Sequence, residues 1–301
     1  MADKMLENNE RARGEAREVY DLARKITAEL HAEHHRTAVR FTLEPGEPGI
    51  FESKAAGTPY LPHDMPWPLD SKGQGLTLLA QVDCAGLGGL PDFPQSGLLQ
   101  FFSGLDDLFG AEFDHMTEQK DFRVLYHEAV DRSVTAEEVE AKRPPLPEDS
   151  EDYSPVFQPC LILLKAPAEQ GITEQDPRFN PLFADKWNPL RPDAPVKGTW
   201  DVHKLVPDRL RDYDATEQPG WDGPHHQLGG YPFFTQSDPR PGECEDLDVL
   251  LFQLDSDMLP REQGGRDLVL WGDCGVGNFF INREALKRRD FSRVAYNWDC
   301  C

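Results

Sequence analysis

Gly57-Thr58-Pro59-Tyr60 is answered later in the chain by Gly230-Tyr231-Pro232-Phe233, and the likeness runs on. Leu78-Leu79-Ala80-Gln81-Val82-Asp83 is matched by Leu250-Leu251-Phe252-Gln253-Leu254-Asp255, and Gly97-Leu98-Leu99-Gln100-Phe101-Phe102 by Gly275-Val276-Gly277-Asn278-Phe279-Phe280. The three matches keep their order, and the step from proline to glutamine is nearly constant. An ordered triple is far harder to reach by chance than any single pair, and it implies two copies of one β-rich unit about a pseudo-twofold axis. The expected class is α+β and β-rich, with two similar β-sheet repeats plus an N-terminal helix.

Outward from these passages, residues 4–36 read as one long helix. Val19, Leu22, Ala23, Ile26 and Leu30 share one face and charge surrounds the rest. Alternation over 37–43 predicts a strand. Four prolines between Pro59 and Pro68 exclude helix and central strand, leaving an extended segment laid across the surface. Short apolar strands are expected over 76–82, 98–102, 122–127, 160–164, 248–254 and 268–271. Another over 278–281 pairs with the last of these across a Gly-rich turn. Residues 128–152 carry nine acids against three bases and read as an exposed, mobile excursion. Residues 166–228 read as long ordered loops with short helices. Asn282 caps a short helix through Lys287, and Val294, Tyr296 and Trp298 alternate on a closing strand. The expected organisation is a helix over 1–36 packed on the body and a single domain over 37–301. Within it lie repeat one (37–104), an insert (105–224) and repeat two (225–301).

The chain of 301 residues carries 54 acids against 31 bases, a formal net charge of −23. Binding to phosphate needs clustered Lys and Arg, so nucleic acid and anionic membrane are poor partners, whereas a protein or peptide, basic by complementarity, is a better one. No stretch approaches the apolar length of a membrane span or a signal peptide, and a cytoplasmic protein is expected. Six scattered cysteines suit free thiols better than a disulfide framework.

No cofactor or metal is expected from motif spacing. The glycines of 272–277 lead into strand rather than a helix N-terminus, so they make a turn, not a phosphate cradle. Asp255-Ser256-Asp257 opens like a calcium loop, but Leu259 and Arg266 fall where ligands are needed. There is no Cys-x-x-Cys pair, and adjacent Cys300-Cys301 is a poor tetrahedral chelate. No nucleophile elbow is present, and no catalytic residue is assigned. The candidate ligand-binding residues are the repeated polar pairs Gln81, Asp83, Gln253 and Asp255, with Trp67, His226, Trp271 and Asp273 beside them. Gln and Asp two apart on a strand share a face, so the four side chains can converge near the axis or pin the Pro-rich crossings to the sheet.

Gly57 to Pro62 with Trp67-Pro68, then Gln81-Val82-Asp83 and Gly97 to Phe102, resemble the bacterial YwqG-like family. So do His226 to Gly230, Leu251 to Asp255 and Trp271-Gly272-Asp273 ahead of Phe279-Phe280-Ile281. The resemblance covers residues 37–301 and implies an α+β, β-rich fold without assigned catalytic residues. The expected function is a non-enzymatic protein- or peptide-binding module. The alternative is a hydrolase of a small or peptidic substrate, with Asp83, Asp255 or Asp273 and His226 moving protons.

Overall fold

Alternation of apolar and polar residues along short strands, set between glycine and proline turns, builds most of this structure. The computed structural model describes residues 2–145, 153–211 and 224–301, so part of the expected acidic excursion (146–152) and residues 212–223 lie outside the description. The first half runs α1 (Ala2–Glu33), β1 (His35–Pro45), β2 (Lys54–Ala55), β3 (Thr77–Asp83), β4 (Leu98–Ser103), β5 (Phe122–His127), α2 (Ala136–Glu140), β6 (Cys160–Leu164) and β7 (Ala168–Gly171). The remainder runs α3 (Phe179–Leu190), α4 (Thr199–Lys204), β8 (Gln227–Gly229), β9 (Val249–Asp255), β10 (Asp257–Met258), β11 (Asp267–Val269), β12 (Val276–Ile281), α5 (Arg283–Lys287) and β13 (Val294–Asp299).

The chain divides into two units. Residues 1–36 with 169–223 form the smaller. In it, Val19, Tyr20, Ala23, Ile26 and Leu30 of α1 are buried along one stripe, as are Phe179, Phe183 and Trp187 of α3. Lys186 of α3 pairs with Glu33 at 2.8 Å. The helix stops at Glu33, short of the expected residue 36. The alternating run from His35 onward enters a strand instead.

The larger unit, 37–168 with 224–301, is an α+β structure around a near-closed antiparallel sheet. Its strand order is β13-β12-β9-β8-β1-β6-β2-β3-β4-β5. The sheet folds over on its own apolar face. Phe101 of β4 stacks on Phe252 of β9 at 4.4 Å between ring centroids, and Phe279 on Tyr296 at 4.6 Å. The ends of the path approach where Phe122 of β5 meets Tyr296 of β13 at 5.2 Å. All five rings are sealed from solvent. Each contributes about 2–3 kcal/mol of burial, with about 0.5–1.5 kcal/mol more per well-placed pair.

Three expectations need correction here. The 276–281 strand does not pair with 268–271. It lies between β9 and β13, while β11 joins β10 in a separate ribbon. The reason is the Trp271 indole, which folds onto Gly277 so closely that a Cβ there would collide with it, and so turns the chain away. The Pro-rich crossing is extended but not superficial, since Tyr60, Leu61 and Trp67 are buried. The described part of the acidic excursion is what covers it. Thr135 caps α2, placing Val134 and Val139 in a cluster with those three residues, and Lys142 Nζ donates to Pro62 O at 2.7 Å.

Candidate functional site

The repeated polar residues face away from the inner core, because their strand neighbours Ala80, Val82, Phe101, Phe252, Leu254 and Phe279 fill it. Gln81 is fully buried and uses its whole amide. Its Oε1 accepts from Tyr60 N–H at 2.9 Å and from Gln100 Nε2 at 2.8 Å, while its Nε2 donates to Ile50 O and Glu52 O at 2.9 Å each. Gln100 Nε2 also donates to Tyr60 O at 2.7 Å. The other half repeats the pattern: Gln253 Oε1 accepts from Phe233 N–H at 2.8 Å, and Asn278 Nδ2 donates to Phe233 O at 2.9 Å. The glutamines therefore do not converge. Each latches the crossing segment of its own half to the sheet. Asp83 caps a single 3₁₀ turn by accepting from Ala85 N–H at 3.0 Å. Trp67 donates to Leu76 O at 2.9 Å in the cluster under α2, whereas Trp271 is sealed in the main core; the two indoles do not share a cleft.

His226 and Asp255 do meet. His226 stacks on Phe41 at 5.1 Å, and its Nδ1 accepts from Asp255 N–H at 3.0 Å. The proton is thereby assigned to Nε2, which donates to Asp257 Oδ2 at 3.2 Å. The two carboxyls are driven apart. Burial raises Asp255 to about 6, while the bond from His226 holds Asp257 below its ordinary value. Nearby Cys160 is pushed up to about 11 by burial and by Asp257, so its thiol stays protonated and unreactive. An open groove of about 370 Å³, lined by Phe157, Gln158 and Gly265 to Asp267, lies beside β11, the strand paired with β10.

A second groove, of about 390 Å³, follows β5 and is lined by Arg123, Leu125, Tyr126, Arg289 and Phe291. β5 is the last strand of the path, so its outer edge carries backbone groups that no described strand pairs. Gln119 occupies part of that edge. Its Oε1 accepts from Val124 N–H at 2.8 Å, and its Nε2 donates to Phe291 O at 2.7 Å. A side-chain carbonyl thus accepts the bond that the C=O of a neighbouring strand would accept, while its amide nitrogen ties the edge to the 291–292 segment.

Over residues 53–300 the chain matches the family described as "Domain of unknown function (DUF1963)". It belongs to this family. No curated protein matches it. The DUF1963 region opens on one functional group that reasoning from sequence passed over. Lys54 is fully buried, its Nζ donating to Gly49 O at 2.7 Å and to Thr58 O, and desolvation lowers it to about 8. Gln227 faces Gln253 across the ladder as Lys54 faces Gln81, and its Nε2 donates to Tyr231 O at 2.8 Å. Lys54 and Gln227 stand three positions before a glycine of the matched passages, Gly57 and Gly230, and that spacing was the available signal. At the far end of the DUF1963 region, Asp273 stands in an exposed cluster with Cys274 and Cys301. Nothing local in sequence marks that grouping, because the two thiols are far apart along the chain. Among the described residues no helix is long and apolar enough to cross a membrane.

Proposed function

We propose that this DUF1963 protein is a non-enzymatic module that binds an extended peptide or protein segment by strand addition to β5. The observation that carries the reading is the Gln119 carbonyl, which takes the place of a neighbouring strand's C=O at Val124 on an edge strand that borders an open groove. Bonds alternate along an antiparallel strand, so Tyr126 N–H points to the same side as Val124 N–H and is available to the incoming segment. Arg123 and Arg289 line the groove, which suits a neutral or acidic segment rather than the basic partner suggested by net charge. The test is a display library of extended peptides selected on the intact protein, with Kd measured for Tyr126→Pro. That change removes an outward N–H and leaves the β4–β5 ladder in place. Binding should weaken at least tenfold relative to Tyr126→Ala, which loses the same contacts with Ser96 O and Phe291 but keeps the N–H. Equal affinity for both variants, or no peptide selected, would sink the proposal.

A second reading is a hydrolase centred on His226, Asp255 and Asp257, favoured by the opposed shifts of the two carboxyls, a pattern that suits an acid and a base. It requires turnover of a small ester or peptide substrate that disappears in Asp255→Asn. Equal turnover by both proteins would remove it.

Two readings of organisation accompany this function. The parallel latches of Gln81 with Gln100 and Gln253 with Asn278 support descent of β2-β3-β4-β5 and β8-β9-β12-β13 from one duplicated unit, with residues 37–301 as one functional domain of YwqG-like type. The six free thiols, suited to a reducing compartment, support a cytoplasmic location.

A further inference from the structure

The turn at 271–275 is pressed against the segment leaving β13, and two glycines make the approach possible. Gly272 sits at φ +62°, and a Cβ there would lie 2.6 Å from Cys300 Sγ. A Cβ on Gly275 would collide with Asp299 O. Asp273 Oδ1 accepts from Cys301 N–H at 3.2 Å, fixing Cys301 over the turn. The result is that Cys274 Sγ stands 3.4 Å from Cys301 Sγ and 3.9 Å from Asp273 Oδ1. One ligand atom from each of the three residues falls within 4.8 Å of the others.

We propose that Asp273, Cys274 and Cys301 form a binding site for a thiophilic cation of the zinc class. Tetrahedral zinc with bonds of about 2.3 Å to sulfur and about 2.1 Å to carboxylate oxygen places its ligand atoms roughly 3.6–3.8 Å apart. Movements of a few tenths of an ångström convert the two Cys274 spacings into these, and the Cys301 sulfur already lies within 4.8 Å of the Asp273 carboxylate. Two thiolates and one carboxylate favour such an ion over calcium or magnesium, which take all-oxygen sets. Each thiol releases its proton to solvent as its bond to the metal forms, and no electron is transferred. The fourth position falls to water or to Cys300, whose sulfur packs against the same turn. All three ligand residues are exposed, so the ion enters and leaves directly, as a reversible site requires. Adjacent Cys300-Cys301 remains a poor chelate by itself; the pairing that works joins Cys301 to Cys274.

The test uses the full chain, reduced, titrated with Co²⁺ as a spectroscopic probe and back-titrated with Zn²⁺. Near-ultraviolet thiolate-to-cobalt charge transfer should saturate at about one equivalent and be displaced by zinc. Cys274→Ser and Cys301→Ser should each abolish the band and weaken binding at least tenfold, while Cys244→Ser, at a buried thiol elsewhere, keeps both. Matching thermal melts of the metal-free variants exclude misfolding as the cause of any loss. The proposal is overturned if the wild-type chain gives no band, if either serine variant at 274 or 301 retains it, or if Cys244→Ser loses it.

Discussion

Lys54 shows how one side chain tests the relation between the two halves. Its Nζ bridges Gly49 O and Thr58 O, and Gln227 reaches Tyr231 O from the corresponding place with a neutral amide. If the position needs a donor rather than a charge, Lys54→Gln should stay within about 1 kcal/mol of wild type at neutral pH. Lys54→Leu, which orphans both carbonyls, should cost about 2–4 kcal/mol in urea unfolding. The pH dependence follows from the direction of the shift. Desolvation lowers Lys54 to about 8 from 10.5, so between those values the unfolded chain holds a proton that the native chain has released. Stability conferred at this position therefore rises with pH across that window and is lost as pH falls through about 8. The difference between wild type and Lys54→Gln should move in wild type's favour from pH 8 to 10. A flat difference would mean that the buried amine is not desolvated. Gln81 makes a sharper case. Gln81→Leu strands Tyr60 N–H, Ile50 O and Glu52 O at once and should lose about 3 kcal/mol or more by the same measurement.

At the scale of elements, the end of β9 carries a built-in penalty. Asp255 is raised to about 6 by burial, while an exposed aspartate titrates near 3.8. Between those values the native state holds the extra proton, so stability from this group is present below about pH 4 and lost as pH rises through 6. Asp255→Asn should therefore gain about 1–2 kcal/mol over wild type at pH 7, with the gain fading by pH 4. Urea midpoints across that range check it. The elements themselves were legible to different degrees. β3, β4, β9 and β12 could be read because alternation and the Gly-Pro-Gln spacing are local signals, and the glutamine latches follow from that spacing. The pairing of β12 was not legible. The pattern marks strands but not neighbours, and the fold of Trp271 over Gly277 decides where β12 goes. α2 was hidden by its acidity. Its anchors Val134 and Val139 are only two apolar residues, and the cluster they complete is supplied by Tyr60, Leu61 and Trp67 from far upstream. The Cys274–Cys301 approach and the Gln119 contact with Phe291 were illegible for the same reason: each joins passages far apart in the chain that only the fold brings together.

At the scale of the whole molecule, charge governs what happens outside the core. A formal −23 spread over 301 residues means that each carboxylate sits in the field of many others, and compaction raises that cost. The visible ion pairs do little to offset it. Arg11–Glu15, Arg24–Asp21 and Lys287–Glu284 are exposed helix pairs, whose attraction is largely offset by solvation and side-chain entropy. Salt screens long-range repulsion and short-range surface pairs together, and the sign of the net effect reports which is larger. The Debye length falls from about 30 Å at 0.01 M to about 8 Å at 0.15 M, below the typical separation of unpaired like charges across a domain. Repulsion should therefore weaken more than pairing. Thermal melts at pH 7.5 are expected to shift upward by several degrees between those two ionic strengths and to level off beyond about 0.3 M. A melting temperature that falls with added sodium chloride would show that surface pairing outweighs repulsion. The acidic surface would then be a source of stability rather than a load carried by the sheet core.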